Sequence, residues 1–175
     1  MAAIWIGAKN PMLFARALHS LSPDIRGNLE IDVFGEGTYL NEFKDYIKTN
    51  FSSLDIRYHG IQNQEKIAEK LRIADFLAHP TNWENLPVII IESLCCGTPV
   101  LSNDIPGVDE LVNDSNGTLT APDDTAEFGN ALIKMIGRIH RFNRKEISEM
   151  SLSLFDQAAF GRLSDAVFQE VITKH

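Results

Sequence analysis

The sequence has few cysteines, a deficit of basic residues and no long apolar run. Its two cysteines, among 175 residues, are the neighbours Cys95 and Cys96. Neighbouring side chains on a helix point apart, so we expect no disulfide between them and a reducing compartment. Lysine and arginine total 16 against 24 aspartates and glutamates, a net charge of -8 that argues against nucleic acid as the main partner. A local group of backbone amides could still bind a small anion on such a protein.

No segment reaches the roughly 20 apolar residues that a membrane-spanning helix needs. Residues 1–7 have neither the basic start nor the apolar length of a signal peptide. Together with the unpaired cysteines, these absences lead us to expect a cytoplasmic protein. The rest of the composition, 44% hydrophobic and 23% charged, is that of an ordinary globular protein. Without repeats or a linker-like stretch, we expect residues 1–175 to form a single domain.

Short apolar runs alternate with amphipathic stretches along the chain. The runs predict strands, and the stretches between them predict helices with caps such as Asn10, Asn63 and Asp124. This alternation predicts an α/β fold with a doubly wound, mainly parallel sheet of about six strands flanked by helices. The predicted strands are 3–7, 29–34, 56–59, 76–78, 100–102 and 118–119. The predicted helices are 11–21, 39–49, 64–73, 86–96, 108–112, 125–138 and two more between 145 and 174.

The sequence of residues 88–91 is compatible with either a strand or a helix. Their four consecutive β-branched side chains are typical of a buried strand. Parallel neighbouring strands, however, need a crossover of a dozen or so residues between them, and only this segment can supply it. We therefore predict a helix over 86–96, with Asn85 or Leu86 as its cap and Gly97 as the left-handed residue that closes it.

Parallel sheets of this kind bind ligands at the carboxyl ends of their strands. Glycine-rich and polar segments follow five of the predicted strands, so we expect one binding edge. These segments are residues 7–9, 35–37, 60–61, 79–84 and 103–107. A glycine pair at 35 and 37 lacks the third glycine of a dinucleotide-binding motif, so it predicts a tight turn. Lys9 could neutralise a phosphate or simply be solvated.

Glu84 and Glu92 are separated by seven residues. Glu84 precedes the predicted helix, where unpaired amides favour a phosphate. Two helical turns place the carboxylates about 9–12 Å apart, too far to share a proton but suited to the two ends of an extended ligand. The alternative is that Glu84 caps the helix and Glu92 pairs with a buried lysine or arginine. For the strand-ending His59 and His79, hydrogen-bonded structural roles are favoured over ligand contacts.

Residues 74–84 and the following segment through Val100 resemble the donor-binding half of the retaining GT-B glycosyltransferases of group 1. The spacing of Glu84 and Glu92 matches the paired-glutamate motif of that family, and residues 96–100, 105–111 and 116–117 match as well. The resemblance implies transfer of a sugar from a nucleoside-diphosphate sugar to a hydroxyl acceptor, in polysaccharide or glycolipid assembly. It implies neither a metal nor another cofactor, and no cluster of residues has metal-ligand spacing.

The resemblance also implies roles for individual residues. Glu84 would hold the donor sugar at the reacting carbon, and Glu92 would bind the ribose. The remaining donor contacts would be a phosphate at the amides of Asn85 and Leu86, the base at Gly60 and Ile61, and the diphosphate at Lys9.

Two departures from the family pattern stand out. Ala8 follows Gly7 where the family usually has an arginine, and we expect this sequence to lack the N-terminal acceptor domain of the family. We therefore expect a donor-binding domain that is inactive alone and whose partner is that other half, through which the whole enzyme could associate with a membrane. The alternatives are a sugar-nucleotide epimerase of similar architecture and a non-catalytic module that binds a nucleotide or a protein.

Overall fold

A computed structural model describes residues 2–5 and 10–173. Their strands form one six-stranded sheet in the order β3-β2-β1-β4-β5-β6, and every neighbouring pair is parallel. The order reverses direction at β1 and β4, which is the mark of a doubly wound sheet. The fold class predicted from the sequence is therefore confirmed. The strands are β1 (Ala2–Trp5), β2 (Glu30–Phe34), β3 (Asp55–Tyr58), β4 (Phe76–His79), β5 (Val100–Asn103) and β6 (Gly117–Thr120).

Helices cover both faces of this sheet. Short 3₁₀ turns, Leu18–Ser20 and Ile139–Arg141, extend two of them. The helices are α1 (Pro11–Ala17), α2 (Pro23–Gly27), α3 (Leu40–Asn50), α4 (Gln64–Ile73), α5 (Val88–Cys95), α6 (Thr125–Arg138), α7 (Arg144–Phe155) and α8 (Gln157–Thr173).

Each face of the sheet has its own hydrophobic core. One core packs α1, α3 and α6 around the buried rings of Phe14, Phe43 and Phe128. The other core packs α4, α5 and α7, with Ile90 and Leu94 of α5 fully buried in it. Side chains of a strand alternate between the two faces, which is why helices are needed on both.

The ambiguous segment 88–91 is helical, as the crossover argument predicted. The predicted cap at Asn85 or Leu86 is wrong, because α5 begins at Val88 with Pro87 as its N-cap residue. The helical backbone conformation is disfavoured for a residue that precedes proline, so the helix does not extend in the N-terminal direction to Leu86. Gly97 closes the element with φ +74°, as predicted.

Other boundaries differ more modestly. Residues 106–111 form turns, so the helix predicted over 108–112 is wrong. The short helix α2, capped by Ser22 with Pro23 in its first turn, was not predicted. The predicted caps Asn10, Asn63 and Asp124 each accept a hydrogen bond from the amide three residues later. Residues 6–7 of the first predicted strand lie outside the described residues.

Candidate functional site

Glu84 and Glu92 line the same groove at the carboxyl edge of the sheet. The groove lies between the start of α4 and the start of α5 and has a volume of about 370 Å³. The structure thus brings together the two carboxylates that the sequence singled out. The lining residues are Gln62, Gln64, Ile67, Glu84, Leu86, Pro87, Val88, Ile89 and Glu92.

Glu84 lies in the loop between β4 and α5 with its side chain only 8% exposed. Its Oε1 accepts a hydrogen bond from Nε2 of His79, 2.9 Å away, and His79 is fully buried at the end of β4. His79 is hydrogen-bonded, as predicted, but its partner is the very carboxylate that the sequence marked as the sugar ligand. The N-cap residue of α5 is Pro87, so the alternative reading of Glu84 as the cap residue does not match the structure.

The backbone of this loop rests on the turn after β5. Gly107 has φ +85°, and a β-carbon built on it would lie 2.7 Å from the carbonyl oxygen of Asn85. At the start of the loop, the amide of Thr81 donates to Oδ1 of Asn103 at 2.9 Å, and the Thr81 hydroxyl donates to the carbonyl of Trp83 at 3.1 Å. These contacts fix the backbone that carries Glu84.

Glu92 lies on the second turn of α5 and is half-buried. Within the described residues its hydrogen-bond partner is Gln64, whose Nε2 donates to Oε1 at 3.4 Å, and no lysine or arginine pairs with it. Burial raises the pKa of Glu92, and the hydrogen bond from Gln64 lowers it in part. Among the described residues, therefore, no lysine or arginine forms the buried pair with Glu92 that the sequence left open as an alternative.

The first turn of α5 presents backbone donors to the groove. The amides of Ile90 and Ile91 bond to the carbonyl of Pro87, while in the described part of the chain those of Val88 and Ile89 have no backbone acceptor. Free amides at a helix start favour an anion. Leu86 lines the groove just before this turn, and the neighbouring Asn85 is exposed. Sequence reasoning placed the free amides too early, because it started the helix before Pro87.

Gly60 and Ile61 follow β3 at the same edge, next to the groove rather than in its lining. Gly60 has φ +62°, and its carbonyl accepts a hydrogen bond of 2.7 Å from the amide of Gly35. The side chain of Ile61 is 74% exposed. Gln62 of the following loop and Gln64 at the start of α4 also line the groove, and the sequence reasoning missed both. Their position on either side of Asn63, the N-cap residue of α4, is the sequence signal that could have identified them.

A buried cluster of Asp32, His59 and Lys70 supports the loop after β3. Asp32 of β2 accepts hydrogen bonds from Nε2 of His59 at 2.5 Å and from Nζ of Lys70 at 3.2 and 3.3 Å. The ring of His59 also stacks on Phe34, with 4.7 Å between the ring centroids. Burial alone would raise the pKa of Asp32, but the two donors outweigh it, and the pKa lies below its usual value. His59 therefore has the structural role that the sequence favoured.

Lys9, the remaining predicted ligand, lies outside the described residues together with Gly7 and Ala8, so its role stays a prediction. Within residues 2–5 and 10–173, no group of three or more His, Cys, Asp or Glu side chains could hold a metal ion. Across the same residues, none of the helices has the length and apolar character needed to cross a bilayer. Both cysteines are free.

Comparison with known families agrees with this fold. The family described as glycosyl transferases group 1 matches residues 6–142. The chain therefore belongs to the group 1 glycosyl transferases, as its motifs predicted.

Curated relatives are considerably longer than this chain. The UDP-Gal:alpha-D-GlcNAc-diphosphoundecaprenol alpha-1,3-galactosyltransferase of Escherichia coli is 30% identical over 132 residues, which cover 73% of this chain and 33% of the relative. The D-inositol 3-phosphate glycosyltransferase of Nocardia farcinica is 33% identical over 84 residues, or 47% of this chain and 19% of the relative. The matched part of the chain thus spans a third or less of these relatives.

Solved structures share the fold. Anabaena Alr3699/HepE in complex with UDP and glucose matches with a TM-score of 0.81 at 19% identity, over 97% of this chain and 48% of that one. WaaG, a glycosyltransferase involved in lipopolysaccharide biosynthesis, matches with a TM-score of 0.73 at 22% identity, over 89% and 42%. The fold of this chain corresponds to slightly less than half of each of these proteins.

Proposed function

We propose that this chain is the donor-binding domain of a retaining glycosyltransferase, which transfers a sugar from a nucleoside-diphosphate sugar to a hydroxyl acceptor. The observation that carries the proposal is the single groove that holds Glu84, Glu92 and the start of α5. Membership of the family supports it, as do a relative named for UDP-Gal and a structural neighbour in complex with UDP and glucose.

The groove accommodates a sugar nucleotide lying along the first turns of α5. Glu92 accepts hydrogen bonds from the ribose hydroxyls, and Glu84 accepts them from hydroxyls of the donor sugar. Between them, the amides at the start of α5 hold a phosphate, with Val88 and Ile89 added to the predicted Asn85 and Leu86. The remaining contacts are the base at Gly60 and Ile61 and the diphosphate at Lys9.

Catalysis in such a site depends on positioning and electrostatics. When the bond between sugar and diphosphate breaks, negative charge grows on the leaving diphosphate and positive charge on the sugar ring. The helix amides stabilise the first charge and the carboxylate of Glu84 stabilises the second. Neither a metal nor a cofactor is assigned to this step. Lys9 supplies the cation for the leaving group, since Ala8 stands where the family usually has arginine.

The acceptor binds to the other half of a two-domain enzyme, which also carries any peripheral membrane association. Relatives two to three times longer than the matched segment support this division. The structural neighbour WaaG, which is involved in lipopolysaccharide biosynthesis, supports a role in polysaccharide or glycolipid assembly, and we place that role on the cytoplasmic side. The isolated chain then binds donor nucleotides but transfers no sugar.

Calorimetric titration of the chain with UDP, GDP, ADP and CMP tests the proposal. We expect one diphosphate to bind and Glu92→Gln to weaken it by roughly tenfold, because the variant loses a charged hydrogen-bond acceptor. Glu69→Gln on the exposed face of α4 is the matched control and should bind like the wild type. If none of the four nucleotides binds, or if Glu92→Gln binds as tightly as the wild type, the assignment is wrong.

The epimerase alternative is less well supported by the groove. An epimerase needs additional acid and base groups around the sugar. Among the described residues, the titratable side chains that line the groove are Glu84 and Glu92, and Glu92 is assigned to the ribose.

A further inference from the structure

His79 is an unusual residue for its position. The other residues of β4, Phe76, Leu77 and Ala78, are apolar and buried, and His79 ends the strand with no exposed surface. Burying an imidazole is costly unless its nitrogens are hydrogen-bonded. A leucine would fill this position without that cost, so the polar ring calls for a reason.

The backbone of His79 is held in the sheet, whereas the carboxylate that its imidazole contacts belongs to a loop residue. His79 pairs with Ser102 of β5, and its carbonyl accepts a hydrogen bond of 2.7 Å from the Ser102 hydroxyl. Glu84 lies five residues further on, in the loop that leads to α5. A carboxylate has no proton to give, so Nε2–H of His79 is the donor in the 2.9 Å contact with Oε1 of Glu84. The bond therefore ties a loop side chain to a rigid strand.

We propose that His79 is a positioning residue for Glu84: its Nε2–H fixes the carboxylate in the orientation that meets the donor sugar. This inference rests on the proposed role of Glu84. A glutamate has three side-chain torsions, and a donor held by the sheet removes most of their freedom before the ligand arrives. Among the described residues, those that line the groove beside Glu92 do not include His79.

The proposal separates two effects of replacing His79. A role in filling the core would change stability and would weaken every ligand alike. A positioning role instead weakens the sugar end of the ligand and leaves the nucleotide end unchanged. The informative quantity is therefore the ratio of the dissociation constants for a nucleotide sugar and for its nucleotide.

Three substitutions test whether the donor at Nε2 is what matters. The amide nitrogen of glutamine reaches the place of the imidazole Nε2, whereas that of asparagine reaches only the place of Nδ1. His79→Gln therefore keeps the hydrogen bond to Glu84, while His79→Asn, a matched amide, does not. His79→Leu fills the site without a donor. Calorimetry of each variant with UDP and UDP-glucose, and with GDP and GDP-mannose, gives the ratio.

We expect His79→Asn and His79→Leu to raise the ratio of Kd for the nucleotide sugar to Kd for the nucleotide by roughly tenfold. His79→Gln should stay within about threefold of the wild type, and the nucleotides alone should bind every variant about equally. In addition, the double variant His79→Leu with Glu84→Gln should have the ratio of Glu84→Gln alone, since His79 acts through Glu84.

The inference is overturned if glutamine and asparagine at position 79 give the same ratio, or if the two losses in the double variant add. It is also overturned if His79→Leu weakens nucleotide and nucleotide sugar alike. These results leave the proposed function standing, because the wild type still binds its nucleotide through Glu92. A wild-type chain that binds no nucleotide would instead refute the proposed function itself.

Discussion

Gly107 lies directly against Asn85: a β-carbon at position 107 would stand 2.7 Å from the Asn85 carbonyl oxygen. Gly107 also has φ +85°, a backbone conformation that side chains with a β-carbon rarely adopt. The turn after β5 is therefore shaped to support the loop that carries Glu84. Two distant parts of the sequence meet here at the level of their backbones.

Gly107→Ala should destabilise the fold by about 1–3 kcal/mol and weaken the binding of a nucleotide sugar, because strain and a backbone clash displace the loop. Urea unfolding and calorimetry measure the two effects. Gly137→Ala is the control: Gly137 lies in α6 with open space around its β-position, so alanine should stabilise the protein by up to about 1 kcal/mol. Equal effects of the two substitutions would refute the packing role of Gly107.

Nucleotide binding should depend on pH through Glu92. Burial raises the pKa of this carboxyl group, and only the ionised form accepts hydrogen bonds from both ribose hydroxyls. As the pH falls through the raised pKa, Glu92 is protonated and the affinity falls, at a higher pH than an exposed glutamate would give. Calorimetry between about pH 5 and pH 8 measures this decline.

Gln64→Ala should move that decline to higher pH, since the hydrogen bond from Gln64 lowers the pKa of Glu92. In Glu92→Gln the affinity should be weak and should not show this decline. A wild-type affinity that does not vary over this range would argue against a direct contact between Glu92 and the ribose.

The cluster of Asp32, His59 and Lys70 should contribute to stability in a pH-dependent way. The pKa of Asp32 is lowered in the folded protein, so its contribution is fully present above the unfolded-state pKa and is lost as the pH falls through the folded-state pKa. Asp32→Asn should therefore destabilise the protein by roughly 2–4 kcal/mol at neutral pH, because it leaves a partly buried ammonium without its carboxylate.

The difference between Asp32→Asn and the wild type should shrink below about pH 4, as the wild-type carboxyl group is protonated. Urea unfolding at neutral and acidic pH measures it, with Glu69→Gln, which breaks an exposed pair with Lys66, as the control. A difference that is constant with pH would show that the ionised form of Asp32 does not stabilise the fold.

The sequence predicted most of the fold because buried strands and capped helices leave local patterns. The helix over 88–95 needed a topological argument, since its β-branched residues are typical of a strand, and its start was predicted too early because the effect of Pro87 on Leu86 was overlooked. The short helix α2 was missed although Ser22 and Pro23 are typical of a helix start.

The candidate site was predicted in part. The spacing of Glu84 and Glu92 predicted one groove, because a helix start and the carboxyl edge of a sheet both point there. The contact between His79 and Glu84 could not be predicted in the same way. It joins a strand end to an irregular loop, where no periodic pattern indicates which side chains meet.

The central claim is that Glu92 and Glu84 contact opposite ends of one nucleotide sugar. Calorimetry of Glu92→Gln and Glu84→Gln with UDP and with UDP-glucose, and with GDP and GDP-mannose, tests it most directly. The informative pair is the one that the wild type binds. For that pair, we predict that Glu92→Gln weakens the binding of the nucleotide and of the nucleotide sugar by roughly tenfold, whereas Glu84→Gln weakens only the binding of the nucleotide sugar. If Glu84→Gln weakens the binding of the nucleotide as much as that of the nucleotide sugar, or leaves both affinities unchanged, the two carboxylates do not contact opposite ends of the ligand.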